Sequence, residues 1–309
     1  MIRFAKLRKE YDTLVAVHDL EVEIPEGEVY GLIGPNGAGK TTTIRMACGL
    51  LSPTSGKVFV NGIDVHSAPE QAQAFIGYLS DFFSVYEDLK VWEYLDYFAH
   101  AYKLPAEVIP GRIDEVIAQV GLEVKRDTFI KGLSRGMKQR LGIGRAIIHR
   151  PKVLLLDEPA SGLDPKARLD LRNVLLSLRD AGATILISSH ILTELEGFCT
   201  SIGLMEKGNM VRSGRIDEIV AAASPVRVVR LAWARDGRSN AEAKLRSLPN
   251  VSDVLVREYD GVFKYSGAEE ELSDVLAALV GAGVRVTSFG EVKQTVEDLY
   301  VKLSHNEVM

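Results

Sequence analysis

Gly34-Pro35-Asn36-Gly37-Ala38-Gly39-Lys40-Thr41 fits G-x-x-x-x-G-K-[ST], a spacing suited to holding a triphosphate. Glycines let successive backbone N–H groups turn inward around phosphate oxygens, and a helix opening after Gly39 points its positive end at them. In that arrangement Lys40 reaches the β- and γ-phosphates, the Thr41 hydroxyl ligates Mg²⁺, and Thr42 is counted with the loop as part of the nucleotide site. Further along, residues 153–158 read Val-Leu-Leu-Leu-Asp-Glu, which sets two carboxylates at the exit of a buried strand. Asp157 suits Mg²⁺ held through water, and Glu158 suits a general base that polarises an attacking water. Alone, an Asp-Glu pair after a strand more often marks an exposed turn. Coupled to the phosphate loop, it points to hydrolysis of a nucleoside triphosphate.

Such groups need a frame, and the patterning supplies one. Residues 29–33, 153–156 and 184–187 are apolar runs of strand length, continuous enough to be buried on both faces. A helical pattern follows each of the first two. Ile44, Ala47, Cys48 and Leu51 recur at helical spacing, and Asp164-Pro165 makes a helix start ahead of Leu171, Val174, Leu175 and Leu178. Alternation of this kind predicts an α/β core with a largely parallel sheet, here over residues 1–222. Residues 85–148 read as a helical subdomain whose aromatics, Trp92, Tyr94, Tyr97, Phe98 and Tyr102, fit helical core or a docking surface equally. The run 221–225, Ala-Ala-Ala-Ser-Pro, reads as a linker. Beyond it, residues 226–309 show a β-α-β-β-α-β order that predicts a small ferredoxin-like α+β module, closed by a helix over 294–303.

With 309 residues the chain can bury one large core and a small second one. Its formal charge of −5 gives no electrostatic reason to expect nucleic acid as a partner. Cys48 and Cys199 are the only cysteines, which suits a reducing cytoplasm. Residues 1–8 are basic but lack an apolar core, so they read as a first strand and not a signal peptide. No apolar run approaches the roughly 18 residues of a membrane span, so any membrane role would run through a partner.

Residues 133–140, Leu-Ser-Arg-Gly-Met-Lys-Gln-Arg, resemble the signature motif that separates ABC ATPases from other phosphate-loop proteins. Ser161-Gly162-Leu163-Asp164 resembles that family's D-loop, His190 its switch histidine, and Tyr11 stands where the family stacks an aromatic on adenine. The motifs run in the family's order across residues 2–220. The resemblance implies ATP and Mg²⁺ as cofactors and a phosphate-loop ATPase fold. It also implies two ATPase domains, head to tail, with Ser134, Arg135, Gly136 and Asp164 of one facing the nucleotide held by Lys40 of the other. A second copy of this chain, or a paralogous ATPase subunit, would then complete the site. Integral membrane permease subunits would hold the pair at the cytoplasmic face of the membrane.

Two positions depart from the family pattern. Asp81 stands where the family has a glutamine that contacts Mg²⁺ and the attacking water. It is read here as a metal and catalytic residue that reaches the ion through water. Arg135 replaces the first signature glycine, which would set a bulky cation beside the nucleotide in trans. The single ATPase domain, the appended module and residues 296–303 resemble ATPase subunits of type-2 exporters. A ribosome-associated ABC ATPase would carry two ATPase domains in one chain, and a DNA-repair ATPase would place a long coiled coil between Thr41 and Asp157. Neither feature is present.

Overall fold

The computed structural model describes residues 1–191, 195, 197–223, 227–234, 238–268 and 270–292, and divides into two compact units at Ile216/Asp217. The first unit opens with β1 (Ile2–Tyr11), β2 (Leu14–Ile24), β3 (Val29–Ile33) and α1 (Lys40–Ala47). Then come β4 (Ser55–Val60), β5 (Ile63–Asp64), α2 (Pro69–Gln73) and β6 (Ile76–Leu79). Helices α3 (Val91–Ala101), α4 (Ile109–Gln119) and α5 (Arg135–Ile147) follow without an intervening strand. The unit ends with β7 (Val153–Leu156), α6 (Pro165–Asp180), β8 (Thr184–Ser189), β9 (Ser201–Glu206) and β10 (Asn209–Arg215).

Six strands form one sheet in the order β10-β9-β3-β8-β7-β6. Strands β9, β3, β8, β7 and β6 are parallel, and β10 folds back on β9 as an antiparallel edge. Every residue of β3, β7 and β8 is buried, as their apolar runs require, and the polar Thr184, Ser188 and Ser189 of β8 are buried with them. Parallel register brings their carboxyl ends to one side: Ile33 is level with Ser189 and Leu204, and Leu156 with Ile187. The loops that leave those ends carry the candidate chemistry, as expected of such sheets. A second sheet, antiparallel in the order β2-β1-β4-β5, was not legible in the sequence. Its Ile2, Phe4, Leu20, Val22 and Val58 share a core with Ile44, Met46 and Leu155, which covers one face of the parallel sheet and α1.

The helical segment has its own internal ties. Arg112 of α4 is buried and donates through Nε to the Ile148 carbonyl (2.9 Å) and through Nη2 to that of Ile147, setting a cation on the C-terminal end of α5. The aromatics of this segment divide between core and surface. Tyr94 is fully buried, 5.0 Å from the Phe98 ring, whereas Tyr97 is exposed. Tyr102 stacks on His149 at 3.8 Å and 10°.

Helix α7 (Ile216–Ala223) begins at the last residue of the first unit, and the second unit continues with β11 (Arg227–Trp233), α8 (Arg238–Ser247), β12 (Val251–Val256), β13 (Asp260–Tyr265), α9 (Leu272–Gly281) and β14 (Val286–Glu291). Its antiparallel sheet runs β12-β13-β11-β14, the ferredoxin-like order, over a core of Val229, Leu231, Phe263, Leu245 and Leu279. The linker reading of 221–225 is corrected in part. Ala221–Ala223 continue a helix, as a run of alanines favours, and residues 224–226 lie outside the described residues. So does the closing helix expected over 294–303.

His149 gives the fold a pH signature. Burial lowers its imidazole pKa to about 4, and its Nε2 is 3.0 Å from the Ile76 carbonyl, so the folded chain holds the neutral ring with the proton on Nε2. Below its ordinary value of 6.5 the unfolded chain takes up a proton that the folded chain refuses until about pH 4. Stability should therefore fall as pH drops through that window. His149→Gln, which keeps a donor to Ile76, should flatten the fall when urea midpoints are compared between pH 7 and pH 4.5.

Candidate functional site

The loop after β3 turns on Gly39, whose φ of 100° lies in the left-handed region. A Cβ there would sit 2.4 Å from the Ala16 carbonyl oxygen, so neither the turn nor the space admits a side chain. The first turn of α1 carries no acidic residue, so nothing from its own sequence offsets the positive end facing the loop. Lys40 is 5% exposed, and its Nζ donates to the carbonyls of Gly34 (2.7 Å) and Pro35 (3.2 Å) while lying 3.3 Å from Glu158 Oε1.

Asp157 sits at the end of β7, buried. Its Oδ1 accepts from Thr41 Oγ1 at 3.1 Å and from Ser188 Oγ at 2.7 Å. The same Ser188 oxygen accepts the Glu158 backbone N–H at 2.9 Å, which satisfies a residue held at φ 48°. Glu158 Oε2 accepts from His190 Nδ1 at 2.7 Å and from its backbone N–H at 3.3 Å. Lys40, Glu158 and His190 thus form one chain of charge-assisted contacts beside the phosphate loop. Thr41 Oγ1 and Asp157 Oδ1 are hard oxygen donors in contact, a pair that fits Mg²⁺. Among the described residues no three His, Cys or acidic side chains converge to hold a metal.

A cavity of about 450 Å³ lies over this loop, within the size range of small-molecule sites. Residues 36–42 line it together with Tyr11, Ala16, Asp81, Glu158 and Lys207. Asp81 is half-buried, and its carboxyl is pushed above the ordinary range, first by burial and then by the charges of Asp157 and Glu158. Arg135 and His190 pull it partly back. Tyr11 is 43% exposed, with the Lys9 ammonium 5.0 Å from its ring centre.

Ser134, Gly136 and Asp164 do not line the cavity of their own chain. Ser134 caps α5, its Oγ accepting the Met137 N–H at 3.3 Å, and Asp164 caps α6, accepting the Ala167 N–H at 2.9 Å. The two helix starts are pressed together, since a Cβ on Gly136 would lie 2.6 Å from that of Ala167. Arg135 is engaged within its own chain, where Nη2 donates to the Ser161 carbonyl at 2.9 Å.

The ABC transporter family profile matches residues 17–161. The Nod factor export ATP-binding protein I of Cupriavidus metallidurans is 32% identical over 100% of this chain and 98% of its own length. The linearmycin resistance ATP-binding protein LnrL of Bacillus subtilis is 30% identical over 98% of each. The chain belongs to the ABC transporter ATP-binding family. As members of that family do, this ABC ATPase binds and hydrolyses ATP. A solved ATP-binding subunit of an ABC transporter, 32% identical, superimposes with a TM-score of 0.64 over 72% of this chain and 92% of its own. The cbiO1 protein of Clostridium perfringens, part of the cbiONQ complex, does so at 27% identity with a TM-score of 0.65, over 71% of this chain and 90% of its own.

Two features of the site were missed from the sequence of this ABC ATPase. Ser188 looked like one hydroxyl of a pair, and only β8 lying next to β7 gives it two partners. Lys207, in the turn between β9 and β10, belongs to no motif. Ser188→Ala would strip a donor from Asp157 and an acceptor from the Glu158 N–H, a loss of about 1–3 kcal/mol locally. Its ATPase rate should fall about tenfold and its Mg²⁺ requirement rise, read by phosphate release across a Mg²⁺ titration.

Proposed function

We propose that this chain is the ATP-hydrolysing subunit of an export system, working in a head-to-tail pair against separate membrane subunits. The observation that carries this reading is the division of its motifs. Lys40, Thr41 and Glu158 line one cavity, with Asp157 bonded to Thr41 and His190 to Glu158, while Ser134, Gly136 and Asp164 stand at helix starts outside its lining. A second chain that brings those helix starts over the phosphates would complete each site. Relatives named for Nod factor export and linearmycin resistance support the export direction. The transporter complex named for cbiO1 supports coupling to membrane subunits. Among the described residues no helix is long and apolar enough to cross a membrane.

The contacts suggest how the site works. Lys40 exchanges its carbonyl partners and Glu158 for β- and γ-phosphate oxygens. Glu158 Oε1 is then free to accept a proton from water as its oxygen bonds to the γ-phosphorus and the β–γ bridge bond breaks. ADP keeps the bridging oxygen, and inorganic phosphate leaves. His190 fixes the carboxylate through Oε2 while Oε1 works. Thr41 and Asp157 would hold Mg²⁺, which would supply charge neutralisation to the phosphates. Asp81 lines the same cavity and would reach that ion through water. Exposed Tyr86 and Tyr97 border an open hollow of about 620 Å³ that we assign to the membrane subunit, and Phe82, next to Asp81 in sequence, is exposed as well.

Glu158→Gln should lower hydrolysis by about two or more orders of magnitude with ATP binding retained, and it should leave a long-lived ATP-bound pair on gel filtration. Unchanged turnover would remove the carboxylate from its role. Lys40→Ala and Ser134→Arg chains, each inactive alone, should recover activity on mixing. Monomers that hydrolyse at a rate independent of protein concentration would sink the pair.

A further inference from the structure

We infer that Lys207 is a nucleotide-binding residue, its ammonium contacting the α-phosphate of the bound nucleotide. The inference rests on the cavity over residues 36–42 being the ATP site.

Four side chains lining the cavity carry formal charge near neutral pH: Lys40, Lys207, Asp81 and Glu158. Lys40 lies 3.3 Å from Glu158 and Asp81 is an acid, so the lining as it stands offers a polyanion little net attraction. Lys207 forms no ion pair or hydrogen bond through its ammonium with any described residue. Among the described residues of the lining it is the cation that can meet phosphate without first giving up a partner.

Topology says which phosphate. Strand β9 neighbours β3 on the side opposite β8 and β7. Residues leaving β7 and β8, Asp157, Glu158 and His190, therefore flank the phosphate loop on one side. Lys207, leaving β9, flanks it on the other. Adjacent strands lie about 4.8 Å apart, so Lys207 and Asp157 leave strands roughly 14 Å apart, on opposite sides of the loop. The Mg²⁺ donors and Glu158 claim the terminal phosphates, which leaves the α-phosphate to Lys207.

The turn is held in place before any ligand arrives. The Gly208 N–H donates to the Ala38 carbonyl of the phosphate loop at 3.1 Å, and the Gly208 carbonyl accepts the His18 N–H of β2 at 2.8 Å. Lys207 sits in this turn at φ 46°, with its own carbonyl accepting from Asn209 Nδ2 at 3.2 Å. Only the exposed side chain must be ordered on binding, so little of the charge-assisted contact is lost to entropy.

Calorimetric titration of the full chain in EDTA, which halts hydrolysis, tests this with ATP, ADP and AMP. All three carry the α-phosphate. Lys207→Ala should weaken each by about tenfold, the same factor for all, and the variant's affinities should depend less on salt. Lys207→Arg should restore most of the affinity, and Lys207→Gln should not. Unchanged affinities in Lys207→Ala, or a loss confined to ATP, would overturn the assignment. Restoration by glutamine as good as by arginine would also overturn it, by showing a neutral hydrogen bond such as one to ribose. A wild-type chain that binds none of the three would instead overturn the reading of the cavity itself.

Discussion

Asp157 Oδ1 accepts two hydroxyl hydrogens, from Thr41 at 3.1 Å and from Ser188 at 2.7 Å, and the geometry of the site hangs on that shared oxygen. One partner opens the helix after β3, the other closes β8, and the carboxylate itself ends β7. A buried carboxylate is costly unless its lone pairs are met, so the position of each of these strands is constrained by the same atom. Glu158 inherits its place from this arrangement, because the hydroxyl that steadies Asp157 also takes the Glu158 N–H. The sheet thus delivers a general base to within reach of a lysine two strands away.

Local chemistry was the legible part of the sequence. The phosphate loop, the Asp-Glu pair and the apolar strands that carry them depend on residues close in the chain, where spacing alone encodes geometry. Helix caps such as Asp164 were equally readable, since the capped N–H lies three residues on. The ferredoxin-like order of the second unit followed from alternating patterns over short spans. Features built from distant residues were not readable. The antiparallel sheet pairs β1 with β4 across bulges that break the period-two pattern, so its strands carry no clean alternation. Lys207 enters the cavity only because β9 lies beside β3. Nothing near residue 207 records that neighbour.

Arg135 illustrates a different limit. From the motif alone, an arginine in place of glycine reads as an addition to whatever faces the signature. In the fold it is first a local tie, linking the start of α5 to the Ser161 carbonyl ahead of α6 and contributing positive potential at Asp81. Asp81 itself occupies the cavity, and its environment shows how a shorter acid sits there. Burial and two neighbouring carboxylates oppose its charge, so a nearby cation weighs heavily.

The contact between the starts of α5 and α6 bears on how inherited variation at Gly136 would be read. A glycine in a motif that faces a partner invites the conclusion that it is kept for the partner's sake. Here its missing side chain is already required at home, because the Ala167 methyl fills the space a Cβ would need. Damage from a substitution at 136 would begin with the two helices moving apart inside a single chain. Positions 136 and 167 should therefore change together across descendants of this protein, each compensating the volume of the other.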